Sequence, residues 1–160
     1  TSGLQSTARW LVCCPPVCAP DFARWQKGFY ATLAAHMRAA SAAIGCTCGV
    51  CGAPALVGFT GKRQFVELLQ LSAEGTPLRG AAKVPSTAVS LGRQPLVRLP
   101  AGWPLPPGAS EVWVLTSTSG AAPMSNAQRE APYRALAARL AELPWPRATV
   151  PACVAAGSGG

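Results

Sequence analysis

Glu111-Val-Trp-Val-Leu-Thr-Ser-Thr118 is the strongest strand signal in the chain. β-Branched and aromatic residues dominate it, and the run from Val112 to Leu115 does not alternate with polar residues. An unbroken apolar run of this length points to a central strand covered on both faces. Such a strand needs other strands beside it.

The neighbouring segments supply candidates. Ala55 to Phe59 reads as a short strand. From Lys83 to Leu99 the pattern turns to β at Val84, Thr87, Val89, Leu96 and Val97, broken by Pro85, Gly92 and Pro95. Between these, Gln64 to Leu71 carries apolar residues at 65, 66, 68, 69 and 71, a spacing that fits a helix. Residues 72–82 read as a loop. On the C-terminal side, Ser125-x-x-Gln128 matches a capping box. Pro132 is best tolerated in a first turn, which places the helix start near Glu130. Tyr133, Leu136, Leu140 and Leu143 form the expected buried stripe, with Arg134 and Arg139 facing outward. Pro144 ends the helix, and Trp145, Val150, Cys153 and Val154 suit a last edge strand.

The longest helical pattern lies near the N-terminus. Phe22, Trp25, Phe29, Leu33, Met37 and Ile44 recur near helical period on an alanine-rich background. Asp21 is the expected N-cap, Gly28 weakens the middle, and Gly45 suits the C-terminal cap. The sum is an α+β fold: an N-terminal helix with a Cys-rich knuckle, an antiparallel β-sheet and a C-terminal packing helix. Residues 1–52 form the Cys-rich helical part, 53–147 the α+β part and 148–160 a flexible tail.

Six of the seven cysteines flank the first helix: Cys13, Cys14 and Cys18 before it, Cys46, Cys48 and Cys51 after it. Zn²⁺ favours four tetrahedral thiolate or imidazole ligands, usually supplied as pairs two to four residues apart. Cys14-x3-Cys18 and Cys48-x2-Cys51 are two such pairs. They form the expected ligand set for one Zn²⁺ ion, with Cys13, Cys46 and His36 as alternates. Two other readings compete. Thiols are often small buried hydrophobes, and disulfides are the third option. Cys46 and Cys48 are too close in sequence to bridge easily, which favours metal over a disulfide.

The 160 residues carry a net charge of +8, with only 12% charged residues. Nucleic acid, an acidic protein surface or anionic lipid are natural partners for that charge. No run of four or more Lys/Arg occurs. Lys62, Arg63, Arg93 and Arg98, with Trp103 nearby in sequence, make a candidate basic groove with a stacking platform. Isolated surface charges are the plainer reading of each arginine. No apolar run reaches the ~20 residues that span a bilayer. Pro15 and Pro16 stop the apolar patch at Trp10 to Cys14 too soon for a signal sequence. The expectation is an intracellular, non-secreted protein with no membrane partner.

Acid–base chemistry is poorly supplied, with one His, one Asp and six scattered acids in all. No His follows Cys46, Cys48 or Cys51, so a papain-like Cys–His order is missing. No phosphate-binding Gly-rich motif is present. No catalytic residue is assigned.

Two stretches carry a resemblance to a family. Thr60-Gly-Lys-Arg-Gln-Phe-Val-Glu-Leu-Leu-Gln70 resembles a helix in arterivirus non-structural protein 1. Pro107-Gly108-Ala109 followed by Val114-Leu115-Thr116 resembles a strand of the same proteins. Those proteins begin with a zinc-binding module followed by papain-like protease domains, active or inactivated. Gly45-Cys46 falls close to the family's Gly-Cys-Cys-Trp nucleophile segment, but no Trp follows Cys46 or Cys48. Trp113 sits where the catalytic His would fall, and the family's zinc-finger spacing is not reproduced.

The resemblance therefore implies a degenerate, papain-like-protease-related domain. It also implies the role of a non-enzymatic viral accessory protein, released from a polyprotein, in the host cytoplasm or nucleus. That protein would bind host factors or RNA to suppress innate immune signalling or regulate viral RNA synthesis, alone or as a homodimer. The alternatives are a papain-like cysteine protease that releases itself, with a pair such as Cys46 and His36, and a basic nucleic-acid-binding module.

Overall fold

The computed structural model describes residues 19–47, 50–118 and 123–144. Their order is α1 (Ala19–Ala43), β1 (Leu56–Thr60), α2 (Lys62–Leu69), β2 (Gly92–Arg93), β3 (Glu111–Leu115) and α3 (Asn126–Glu142), with three short 3₁₀ turns between α2 and β3. The strands form one sheet in the order β1-β3-β2, so the fold is mixed α+β with β3 at the centre.

Central placement is what the apolar run at 112–115 demands. Successive side chains of a strand point to opposite faces. Val112 and Val114 enter the main core with Phe59, Phe65, Leu68, Leu69 and Val89. Trp113 and Leu115 point the other way and are buried as well. Helices α1 and α2 cover the first face. The Trp113 side is the side of α3, whose Arg139 reaches Glu111 two residues before Trp113. At the exit of β3, Tyr133 Oη donates to the Thr116 carbonyl at 2.7 Å, and Thr116 Oγ1 donates to the Arg129 carbonyl at 2.6 Å.

The sheet departs from the antiparallel expectation. β3 pairs antiparallel with β2 but parallel with β1, from Leu56↔Glu111 to Thr60↔Leu115. Residues 61–110 form the crossover that parallel pairing requires, and α2 opens it. The β pattern from Lys83 to Leu99 condenses to the two residues of β2 and two 3₁₀ turns. Pro85 and Pro95 sit in extended conformation immediately before those turns. Each lacks the N–H a ladder would use.

Both long helices start earlier than expected. Helix α1 begins at Ala19, so Asp21 lies inside its first turn, after a Pro whose fixed φ suits a helix start. Helix α3 begins at Asn126 and holds Pro132 in its interior. The capping box sets this boundary. Ser125 Oγ accepts from the Gln128 N–H at 3.3 Å, and Gln128 Oε1 accepts from the Ser125 N–H at 2.9 Å. Two satisfied donors outweigh the preference of Pro132 for a first turn. The expected edge strand at 145–154 and the tail at 148–160 lie outside the described residues.

The aromatic side chains of α1 fill the space above the sheet. Trp25 stacks on Phe29 at 5.3 Å, and Phe29 meets Phe59 edge-on at 5.8 Å. Trp103 closes the cluster against Phe29, Tyr30 and Phe59.

Candidate functional site

Helix α1 ends in a left-handed glycine cap. Gly45 has φ +69°. Its N–H donates to the Ala42 carbonyl at 3.0 Å, and the Cys46 N–H donates to the Ser41 carbonyl at 2.9 Å. That paired pattern is a Schellman motif. It reverses the chain at the cysteine knuckle. The segment then returns to the helix, where the Gly52 N–H donates to Ser41 Oγ at 2.8 Å. Cys51 is buried in this return and Cys46 is half-buried.

The knuckle forms one wall of a groove of about 1000 Å³. Ile44 and Cys51 line it from the α1 side, Pro54 from just before β1 and Leu56 from its start, and Leu140 and the C-cap residue Leu143 from the end of α3. Ile44 and Leu140 are both more than half exposed, so the groove presents aliphatic surface to solvent.

An ion cluster borders the same groove. Arg139 Nε donates to both Glu111 oxygens at 3.0 and 3.2 Å, and Arg139 Nη2 donates to Oε1 at 2.7 Å. Arg139 Nη1 also donates to Glu142 at 2.8 Å. Arg93 approaches Glu111 at 3.4 Å, and Trp113 Nε1 donates to it at 3.3 Å. The hydrogen bonds from Arg139 hold the Glu111 carboxyl below its usual range, against the opposing effect of desolvation, with Trp113 and the Arg93 charge adding to the lowering. Arg139, expected to face outward, instead ties α3 to the start of β3.

A carboxylate whose folded pKa is depressed stabilises the fold above its unfolded value and loses that contribution as pH falls through the folded value. The melting temperature is therefore expected to fall as pH drops below about 4.3, the ordinary Glu value. In Glu111→Gln the melting temperature at neutral pH is lower and its decline across the acid range is shallower. Parallel acid profiles for the two proteins would refute this role for Glu111. Thermal melts at stepped pH provide the check.

The expected zinc ligands Cys14, Cys18 and Cys48, and the alternate Cys13, lie outside the described residues. Cys46 and Cys51 are described, the first half-buried and the second buried. His36 is exposed on α1, next to Met37, against whose carbonyl the Gly52 backbone packs. Among the described residues no group of three or more His, Cys, Asp or Glu side chains is placed to hold a metal.

The expected nucleic-acid residues are spread out. Lys62 and Arg63 open α2, just past the C-terminal ends of β1 and β3, and Arg63 lies 3.9 Å from Glu67. Arg93 reaches back to Glu111 at the start of β3, about 13 Å away along that strand. Arg98 donates from Nη1 to the Ala88 carbonyl. Trp103 is half-buried in the aromatic cluster, not set out beside the arginines as a platform.

No family model, curated protein or solved structure matches the chain. The geometry of the groove therefore carries the functional reading.

Proposed function

We propose that this is a non-enzymatic accessory protein of the viral leader type, stabilised by zinc at its cysteine knuckle, that acts by binding a host protein in the groove between α1 and α3. The observation that carries the reading is the groove itself. Two helix ends present Ile44 and Leu140 to solvent beside an ion cluster, the arrangement that accepts the apolar face of a partner helix. Suppression of innate immune signalling, or control of viral RNA synthesis, is the consequence that the arterivirus resemblance attaches to such binding.

A protein partner is favoured over RNA by the state of the cations. Arg63, Arg93 and Arg98 each have a partner within the chain, and Trp103 is packed. A binding role is favoured over a protease because no His follows Cys46, Cys48 or Cys51, so the papain-like Cys–His order is missing.

An interferon-reporter assay in cells expressing the full chain tests the reading. Leu140→Asp is expected to lose most of the suppression while keeping the wild-type melting temperature. Suppression equal to wild type would refute the groove. Native mass spectrometry of the same protein is expected to show one zinc, lost with the fold on mild acid treatment. A metal-free mass with an intact fold would refute the zinc. Self-cleavage of a C-terminally extended chain, abolished by Cys46→Ala, would replace this reading with the protease.

A further inference from the structure

We propose that the loop from Leu91 to Arg98 docks the protein onto an anionic lipid surface, with Leu96 and Val97 entering the headgroup boundary and the exposed cations Arg79 and Lys83 of the preceding segment meeting lipid phosphates. Three large aliphatic side chains in this loop are exposed: Leu91 by 38%, Leu96 by 53% and Val97 by 95%. Exposed leucines and valines are ordinary when scattered. Three within seven residues on one short loop make a patch.

The loop is held, not floppy. Gln94 is buried, and its Nε2 donates to the carbonyls of Ser90 at 2.8 Å and Gly92 at 2.9 Å. The Gln94 N–H donates to the Val112 carbonyl of the central strand at 2.7 Å. Pro95 precedes the 3₁₀ turn Leu96–Arg98, which closes with the Arg98 N–H on the Pro95 carbonyl at 2.9 Å. The Arg98 guanidinium ties the end of the loop to the Ala88 carbonyl. Val97 is thus presented by a turn anchored to the sheet, and little ordering remains to be done on docking.

Charge complementarity selects the partner. From Gly75 to Ser110 the sequence has four cations, Arg79, Lys83, Arg93 and Arg98, and no Asp or Glu. Arg93 and Arg98 are engaged by Glu111 and the Ala88 carbonyl, and Arg79 and Lys83 are the exposed pair that would meet lipid phosphates. The longest acid-free run, Phe22 to Val66, lacks a comparable aliphatic tip: Ile44, its one strongly exposed large aliphatic residue among those described, belongs to the groove. A side chain as exposed as Val97 is a protrusion. It offers no pocket to a ligand, whereas a fluid bilayer boundary closes around it. Nucleic acid fits less well, because aliphatic tips do not stack on bases and Trp103 is packed away. The sequence predicted no membrane partner, on the ground that nothing spans a bilayer. Among the described residues no helix is long and apolar enough to cross one. Docking at the interface has no such requirement.

Co-sedimentation of the full chain with phosphatidylcholine vesicles, with and without about one third phosphatidylserine, is the test. The expected partition into phosphatidylserine vesicles is at least about tenfold above that into phosphatidylcholine alone, falling steeply between about 0.1 and about 0.5 M salt. The double variant Leu96→Ser, Val97→Ser is expected to lose about tenfold or more of that partition, and Lys83→Gln about threefold, each with an unchanged melting temperature. The groove variant Leu140→Asp is expected to bind vesicles like wild type, which separates this surface from the groove. Equal partition into both vesicle types would overturn the proposal. So would serine variants that bind as well as wild type. Binding to an RNA oligonucleotide that is stronger than to vesicles, and indifferent to the serine variants, would likewise overturn it and assign the cations to nucleic acid.

Discussion

Gly52→Ala is expected to unseat the cysteine knuckle from α1 and to cost about 3–5 kcal/mol, the sum of overpacking and a lost buried hydrogen bond. A methyl group at Gly52 would stand 2.1 Å from the Met37 carbonyl oxygen, 2.3 Å from the Ser41 nitrogen and 2.8 Å from Ser41 Oγ. Two of those three atoms are helix backbone and cannot swing aside. The return strand must move instead, which breaks the bond from the Gly52 N–H to Ser41 Oγ and strands a hydroxyl on a residue 2% exposed. The demand at Gly52 is for space, since its φ is not among the positive ones. Gly45 is the control. Its φ is +69° but nothing lies within 4 Å of an added Cβ, so Gly45→Ala is expected to cost only the left-handed strain, about 1 kcal/mol. Urea titration of the three proteins measures both. A Gly52→Ala midpoint equal to wild type would mean that the knuckle does not rest on the helix.

Much of the secondary structure was legible because it rests on local chemistry. The central strand was readable from four consecutive apolar residues at 112–115, and the structure buries all four. Helix α2 was readable from spacing alone, and Phe65, Leu68 and Leu69 are its buried face. Gly45 was readable as a cap because a glycine after a periodic run has few other uses. Two local signals conflict at the start of α3. Pro132 argued for a late start of α3 and the capping box for an early one, and the box prevailed because it satisfies two backbone donors.

What was not legible depends on pairs far apart in sequence. The parallel pairing of β1 with β3 is set by a long crossover, which strand composition does not reveal. Arg139 follows the outward positions of its helix by period, yet Glu111 turns it inward from 28 residues away. The groove is hidden for the same reason. Leu140 belongs to the apolar stripe of α3 expected to be buried, but the structure leaves Leu140 60% exposed and Tyr133, Leu136 and Leu143 half-buried. The basic set failed to converge because the sheet holds Arg93 and Lys62 toward different strand ends, and the aromatic cluster takes Trp103.

The second large effect is expected at Phe65, whose removal separates the folding core from the groove. Phe65 is fully buried on α2 and packs its ring 5.2 Å from that of Phe59. It lies in the cluster that joins α2 to β3 through Val112 and Val114. Phe65→Ala leaves a cavity that neighbours from three elements can close only in part, so the expected loss is about 3–5 kcal/mol. Leu140→Ala removes a side chain of similar hydrophobicity from the rim of the groove, where most of it is already wet. Its expected effect is within about 0.5 kcal/mol. Denaturant midpoints at matched slope test the pair. A small loss at Phe65 would contradict its placement at the centre of the core. A loss at Leu140 comparable to that at Phe65 would make the groove part of the core, and a partner could then not bind there without competing with folding. The contrast matters for the proposed function, since any effect of Leu140→Asp on partner binding can be assigned to the groove only if the fold does not depend on Leu140.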